Sequence, residues 1–547
     1  MITVPGVPTH QITETGTPRL FHCMTELRPE RQRPTLEQEA MMRRRNSLTL
    51  TAALITAGTL ALAGCSAGSA GSSSGGSGTT PTTATIALTG APVNLDFTTT
   101  AGSAIPQAMM SNVYEGLVQL DQAGEIQPLL AKSWTVSDDR KTYTFTLEEG
   151  VTFSNGDAFT ADDVKFSFDR VKTDWVSSLK AKMDVVASVD VISDTEVAVT
   201  LTQPSNAWLF SLATPVGAIF SSDAVDDLAN SPVGTGPYAV ETFTANEKIV
   251  LDTRDDYWGE APSVESVTLK YFADATATTN ALRTGDIDAI VNLQAPELLD
   301  TFEADDAFTV TTGTSSGEIS LSLNNKVAPF DDVRVRQAVL YALDKQAILD
   351  TAWNGYGSLV ATYATPTDPY YEDLNDRYPF DPEKAKALLK EAGQENLSIE
   401  YTVPTRPYAQ AVSEIVVSQL KDVGITATIK SSEFPAVWLD DVFTNHNYQM
   451  TTVLATEARD LLTVFNDPNY YIGYDNAKIA PIAAEADAAD EAGYVSGMKQ
   501  VAEQIVDDAA SGVLFLFPNI TVAKAELQGL PENAIIEALD LTELNWK

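Results

Sequence analysis

Apolar and polar positions along this chain recur with two periods, about 2 and about 3.6 residues, and the changes from one to the other mark out its elements. From Thr142 to Leu147, Tyr143, Phe145 and Leu147 fall on one side and threonines on the other, the pattern of a half-buried strand. Thr85 to Thr89 is a shorter strand candidate. Helical spacing starts after Thr160, where Val164, Phe168 and Val171 share a face, Thr160 is placed to cap and Asp163 lies near the positive end of the helix dipole. A second helix is framed at both ends: Asp381 caps it, Pro382 takes the first helical position, Ala385, Leu388, Leu389 and Ala392 form its apolar stripe, and Gly393 stops it. A third runs from Tyr408 to Asp422, ends at Gly424 and passes into a strand over Ile425 to Ile429. Strands and helices interleave without a fixed repeat length, so an α/β architecture in several lobes is expected rather than a solenoid.

One apolar run fits neither period. Leu48 to Ala63 is 16 residues long, follows Arg43, Arg44 and Arg45, and leads through small residues into Leu62-Ala63-Gly64-Cys65. It is shorter than the ~18 to 20 apolar residues of a spanning helix, which favours a cleaved signal. The tetrapeptide resembles the lipobox of bacterial lipoproteins, which implies cleavage between Gly64 and Cys65 and lipid on Cys65 at the outer face of the cytoplasmic membrane. Residues 1–40 are rich in Pro, Thr, Arg and Glu without a sustained period, so they are expected to be untranslated or disordered, with Met41 or Met42 as the start and 41–64 as the signal peptide. Residues 65–83 then read as a lipidated cysteine and a Gly/Ser linker, of which the 18 residues Ser66 to Thr83 have an r.m.s. reach of about 20 to 25 Å. Gly71-Ser72-Ser73-Ser74-Gly75 matches a nucleophile elbow only formally, since such a linker supplies neither the strand nor the helix that the elbow needs.

Charge narrows the partners. The full chain carries 35 basic and 75 acidic residues; without residues 1–64, which hold seven and five of these, 483 residues remain with 28 basic and 70 acidic, a charge of −42. Such a field repels phosphate backbones, so no nucleic-acid partner is expected, and most of these acids are read as a solvated surface. Cleavage also leaves Cys65 and His446 as the sole Cys and His, without Cys23, His10 and His22. No internal disulfide is then available, and a transition-metal site built by the protein, which draws on several His or Cys ligands, is not expected. The chain has no Walker lysine loop and no HExxH, so no cofactor is expected and the chain is read as a non-enzyme. A secreted two-carboxylate hydrolase is the alternative of another class.

Further along, Tyr114-Glu115-Gly116-Leu117-Val118, Pro128 to Trp134, Gly150 to Asp157 and Phe159 to Val164 occur in that order, followed by Gly234-Thr235-Gly236-Pro237-Tyr238, Asp256-Tyr257-Trp258-Gly259, Gly285 to Asp288, Pro329 to Ala338 and Asp381 to Ala385. Together, over Ala84 to Trp546, they resemble bacterial extracellular solute-binding protein family 5. The resemblance implies a two-lobed, periplasmic-binding-protein-like α/β fold with an extra inserted domain and a ligand cleft between the lobes. It implies lobe I from 84–120, 230–324 and 517–547, an inserted domain over 121–229 and lobe II over 325–516, with crossings near Asn324 and Phe517. It also implies a monomeric receptor that hands a small solute to the permease subunits of an ABC importer. The solute is expected to be a di- or oligopeptide, with a nickel chelate, a sugar or another organic solute as the alternative.

The site residues follow from the same resemblance. Thr405-Arg406-Pro407-Tyr408 is similar to a stretch of dipeptide-binding members whose arginine holds the ligand's carboxylate, a task suited to the planar guanidinium fork. Those members carry an aspartate for the ligand's ammonium after a Gly-Trp pair. Here the region reads Leu454-Ala455-Thr456-Glu457-Ala458-Arg459-Asp460, without that pair, so Glu457 and Asp460 are both candidates and Arg459 suits an anionic group. Solvated carboxylates are the bland alternative for both acids, and a loop arginine paired with a nearby acid is the bland alternative for Arg406. Trp438, Tyr114 and Trp353 are candidates for lining a cleft, although most aromatics are core residues.

Overall fold

The computed structural model describes residues 81–547 apart from 101 and 177; the signal-like run, Gly64, Cys65 and the Gly/Ser stretch lie outside the described residues. Among the described residues no helix is long and apolar enough to cross a membrane.

Strand β1 (Thr83–Leu88) is followed by a hairpin, β2 (Val118–Leu120) and β3 (Ile126–Pro128). Four strands come next: β4 (Ala131–Val136), β5 (Thr142–Leu147), β6 (Val186–Ser193) and β7 (Glu196–Leu201), paired antiparallel in the order β4-β5-β7-β6. The chain then returns to β1 through β8 (Tyr238–Thr244), β9 (Lys248–Thr253), β10 (Ser266–Tyr271), β11 (Ala289–Ile290) and β12 (Phe308–Gly313). A separate sheet is built from β13 (Glu318–Leu323), β14 (Ser398–Pro404), β15 (Thr426–Ser432), β16 (Met450–Ala455) and β17 (Ser511–Leu516), after which β18 (Asn519–Lys524) rejoins the first. The seven-stranded sheet has the order β12-β18-β11-β1-β10-β9-β8 and the five-stranded one β15-β14-β16-β13-β17. Both are mixed: β1 runs parallel to β10 and β11, and β14 parallel to β15 and β16, with the other pairs antiparallel.

Local sequence explains these elements. β5 buries Tyr143, Phe145 and Leu147 and leaves its threonines half-exposed. The helix Ala161–Asp174 buries Val164, Phe168 and Val171, and the Thr160 N–H donates to the Asp163 carboxylate at 2.9 Å. In the helix Pro382–Ala392 the Asp381 side chain accepts from Lys384 N–H at 2.9 Å, and Gly393 takes the left-handed conformation that ends it; the buried stripe is narrower than expected, with Ala385 and Leu389 inside and Leu388 and Ala392 half-exposed. The helix Pro407–Asp422 is followed by β15, and Val335, Ala338, Val339, Ala342 and Leu343 are buried around the helix Val333–Tyr341.

The motifs spread through the chain converge in space. Glu115 is 2% exposed and accepts from the Tyr257 hydroxyl at 2.8 Å and the Trp258 indole N–H at 3.0 Å. The Arg254 guanidinium donates to the carbonyls of Gly234, Gly236 and Thr152 at 3.3, 3.1 and 2.9 Å and pairs with Asp256 at 3.2 Å. Gly234 and Gly236 are needed for close approach: a Cβ on Gly234 would lie 1.9 Å from the Val113 carbonyl oxygen and one on Gly236 2.4 Å from that of Asn112.

One buried cluster contains Ile86 and Leu269 of the seven-stranded sheet together with Phe145 and Val197 of the four-stranded one, so these two layers share a core. The five-stranded sheet has its own core around Leu321, Tyr401 and Val412. Two segments join it to the seven-stranded sheet, Thr314–Gly317 and Phe517–Pro518; the first change of sheet comes before Asn324, since β13 already pairs with β16 and β17. The segments lie side by side, with Phe517 N–H donating to the Gly317 carbonyl and the Ser315 hydroxyl to the Phe517 carbonyl, both at 2.6 Å.

Candidate functional site

A cleft with about 740 Å³ of free space, its open mouth included, lies over these two connections. Ser316, Gly317 and Phe517 contribute its floor, Leu454 and Thr456 at the end of β16 one wall, and Asn292 and the segment Asn533–Leu539 the other. A second cavity, with about 410 Å³ of free space when its opening is included, shares Ile536 and Glu537 with the first and is completed by Lys182 and Pro215 of the four-stranded layer's surroundings and by Glu457 and Ala458. Four stretches of chain, distant in sequence, therefore meet around this second space.

Contacts in and beside these spaces tie their surroundings together. Lys182 Nζ lies 2.8 Å from Glu457 Oε1. The Asn206 side-chain amide donates to the carbonyls of Asp487 and Ala489 at 2.9 and 2.8 Å, and Ala207 N–H donates to Asp487 Oδ1 at 2.9 Å. The Arg459 guanidinium stacks 3.8 Å from the Phe210 ring centre, donates to the Gly124 carbonyl at 3.4 Å and pairs with Asp368 at 3.4 Å.

Behind the wall is a buried acidic group. Glu318, Asp368 and Asp460 are 1%, 8% and 3% exposed, and Glu318 Oε2 and Asp460 Oδ1 have no hydrogen-bond partner among the described residues. Burial pushes Glu318 well above the usual carboxylate range, and the charges of Asp460 and Asp368 add to it. Burial likewise raises Asp460 strongly, helped by Glu457 and Asp368, and raises Asp368 despite the opposing pull of Thr365 and Arg459. Glu537, in the cleft, is pushed up to about 7 by burial, with Glu457 adding and Lys182 opposing.

The residues expected from sequence are divided by this geometry. Glu457 lines the second cavity but is engaged by Lys182. Asp460 lies beneath the wall, buried beside Glu318, and does not line either cavity. Arg406 precedes the helix Pro407–Asp422, is exposed, and holds its guanidinium 5.0 Å from the Phe434 ring centre. It has no carboxylate within 4.0 Å among the described residues, so it is not the acid-paired loop arginine of the bland alternative. It lines neither cavity, but its turn is tied to the wall: Leu454 N–H donates to the Tyr408 hydroxyl at 3.1 Å. Trp438, Tyr114 and Trp353 are core residues, 3%, 1% and 4% exposed. His446 lies in the connection before β16, whereas Leu454 and Thr456 are at that strand's other end.

Lys182 and Glu537 escape the sequence reading. Lys182 sits in an ordinary polar stretch and carries no signal. Glu537 carries one: it is the single charge in Ala534-Ile535-Ile536-Glu537-Ala538-Leu539, and a lone acid within an apolar run is costly unless something compensates it.

This architecture, two sheets joined by paired connections with a cleft above them, is that of a two-lobed binding protein. Residues 125–473 match the family described as Bacterial extracellular solute-binding proteins, family 5 Middle, and the chain belongs to that family. It is 30% identical over 356 residues to the nickel-binding periplasmic protein of Escherichia coli, covering 60% of this chain and 67% of that protein. It is 32% identical over 354 residues to the glutathione-binding protein GsiB of Escherichia coli, covering 62% and 69%. Among solved structures, the periplasmic binding protein DppA of Helicobacter pylori, in complex with the peptide STSA, superposes with a TM-score of 0.73 at 22% identity, covering 85% of this chain and 98% of that one. That likeness establishes the two-lobed fold.

Proposed function

We propose that this chain is the extracytoplasmic receptor of an ABC importer, and that it captures a di- or oligopeptide and delivers it to the permease as a monomer. The observation that carries the peptide reading is the arrangement of charge: Arg406, unpaired with any described acid, stands on the turn tied to the cleft wall, while Glu457 and Glu537 lie inside. A zwitterionic solute matches both signs, its carboxylate on Arg406 and its ammonium within the acidic cavity. The proposed division follows the sheets: lobe I and the inserted domain share a core, and lobe II closes on them. Lipid on Cys65 would keep the receptor beside its permease.

Mass spectrometry of solute released from gently purified protein, together with thermal-shift screening of di- and oligopeptides, nickel-histidine and sugars, tests the reading. Peptides in the released fraction and peptide-specific shifts are expected; a shift with nickel-histidine alone would overturn the peptide assignment, and cleavage of bound peptides would overturn the receptor. For Arg406→Ala, peptides with a free carboxylate should bind about 1.5 to 3 kcal/mol more weakly by calorimetry, and C-amidated peptides should be unaffected. Cys65→Ser should move the protein from the membrane fraction to the soluble one, and retention at the membrane would remove the lipid anchor.

A further inference from the structure

The two cavities meet at Glu537, whose situation differs from that of its acidic neighbours. Glu457 is neutralised by Lys182 at 2.8 Å. Asp368 has Arg459 at 3.4 Å. Glu537 lines both cavities and makes no hydrogen bond or ion pair with any described residue, although Ile535 and Leu539 on either side of it are buried. Glu537 itself is half-buried, so its carboxylate has lost part of its water without gaining a partner among the described residues.

Charge counting states what is missing. With Glu537 ionised, Glu457 and Glu537 supply two negative charges around the second cavity and Lys182 one positive, which leaves one negative charge for a ligand to compensate. One singly charged cation neutralises it. A divalent ion would demand several oxygen ligands, whereas one free carboxylate is available. An ammonium is also the kind of cation this space already holds, since Lys182 places its own there.

We propose that Glu537 anchors the solute's primary ammonium, and that the Lys182–Glu457 pair is a bar across the same space rather than the amine's acceptor. The assignment rests on the receptor reading above and deepens it: the solute class is one with a free amine, held from the C-terminal segment of lobe I. Family resemblance directs attention to the region around Glu457 and Asp460 instead; here that region is occupied by its own lysine and by burial.

The test uses alanine-based di- and tripeptides with a free amine and their N-acetylated counterparts, titrated by calorimetry into the wild-type chain, Glu537→Gln and Glu457→Gln. The wild type should bind the free-amine peptides about 10- to 100-fold more tightly than the acetylated ones, the size expected of a charge-assisted hydrogen bond. Glu537→Gln should abolish that preference while leaving the acetylated peptides bound as before. Glu457→Gln should weaken both kinds alike and keep the preference. Glu537→Asp, which retains the charge, should keep part of it. A preference that survives in Glu537→Gln, or one that vanishes in Glu457→Gln, overturns the assignment and leaves the receptor standing. A wild type that shifts with none of the peptides but does with another screened solute overturns the peptide reading itself.

Discussion

Replacing Arg459 with alanine is expected to cost the folded protein about 3 to 5 kcal/mol at pH 7, because it leaves a buried charge without its partner. The Arg459 and Asp368 side chains are 14% and 5% exposed, so little water screens what remains. Three carboxylates, Glu318, Asp368 and Asp460, would then share one buried region that has lost its guanidinium. The same substitution removes the stack on Phe210 and the bond to the Gly124 carbonyl, so those two segments lose part of their hold on the region after β16 as well. Denaturant unfolding reads the effect, and its pH dependence identifies the cause. At pH 5 the orphaned acids take up protons more readily, so the penalty should shrink; an equal loss at both pH values would mean that packing rather than charge is responsible. Arg459→Lys should lie between the two, since an ammonium keeps the charge but not the planar stack.

The second large effect is on pH itself: stability should be greater at pH 5 than at pH 8. Burial pushes Glu115 from its ordinary 4.5 up to about 7 and Glu537 likewise, and holds Glu318 and Asp460 well above the usual range. A group whose folded pKa lies above its unfolded one stabilises fully below the unfolded value, and that stabilisation is lost as the pH rises through the folded value. For Glu115 the window is about 4.5 to 7, and a shift of that size corresponds to roughly 3 kcal/mol. Asp256, Asp332 and Asp508 are held below the usual carboxylate range, so their contribution is lost only in stronger acid. Thermal melts across pH 4 to 8 should therefore peak near the acidic end. Glu115→Gln keeps an acceptor for the Tyr257 hydroxyl or the Trp258 indole and removes the ionisation, so it should flatten the profile by that group's share. A profile as steep as that of the wild type would show that Glu115 does not titrate in this window.

The elements were legible in sequence where the local signal was sufficient. Tyr143-Phe145-Leu147 alternate on a half-wet strand, and Asp381 and Gly393 end a helix by chemistry confined to their own neighbourhood. The ordered motifs identified the fold but concealed why they occur. Glu115 reaches Tyr257 and Trp258 across more than a hundred residues, and Arg254 gathers carbonyls from Thr152 and Gly234, pairings that no local period encodes. The cleft was half legible. Glu457 lies in it, yet the lysine that occupies Glu457 comes from the segment between β5 and β6, and sequence spacing gives no account of a contact between residues 182 and 457. Asp460 looks as available as Glu457 in sequence, and only the packing of β13 and its neighbours buries it. Glu537 had a local sign, a charge among apolar residues, without a local explanation.

The two connections between the lobes, Thr314–Gly317 and Phe517–Pro518, are fastened to each other by the Phe517 amide and the Ser315 hydroxyl. They form a strap doubled and stitched along its length. Such a strap bends readily across its width and resists being wrung, so the lobes are expected to swing like a door on one axis rather than wander like beads on a thread. Its inner surface also lines the cleft, through Ser316, Gly317 and Phe517. A molecule placed there would touch the strap directly, so its fit is expected to set how far the door can shut.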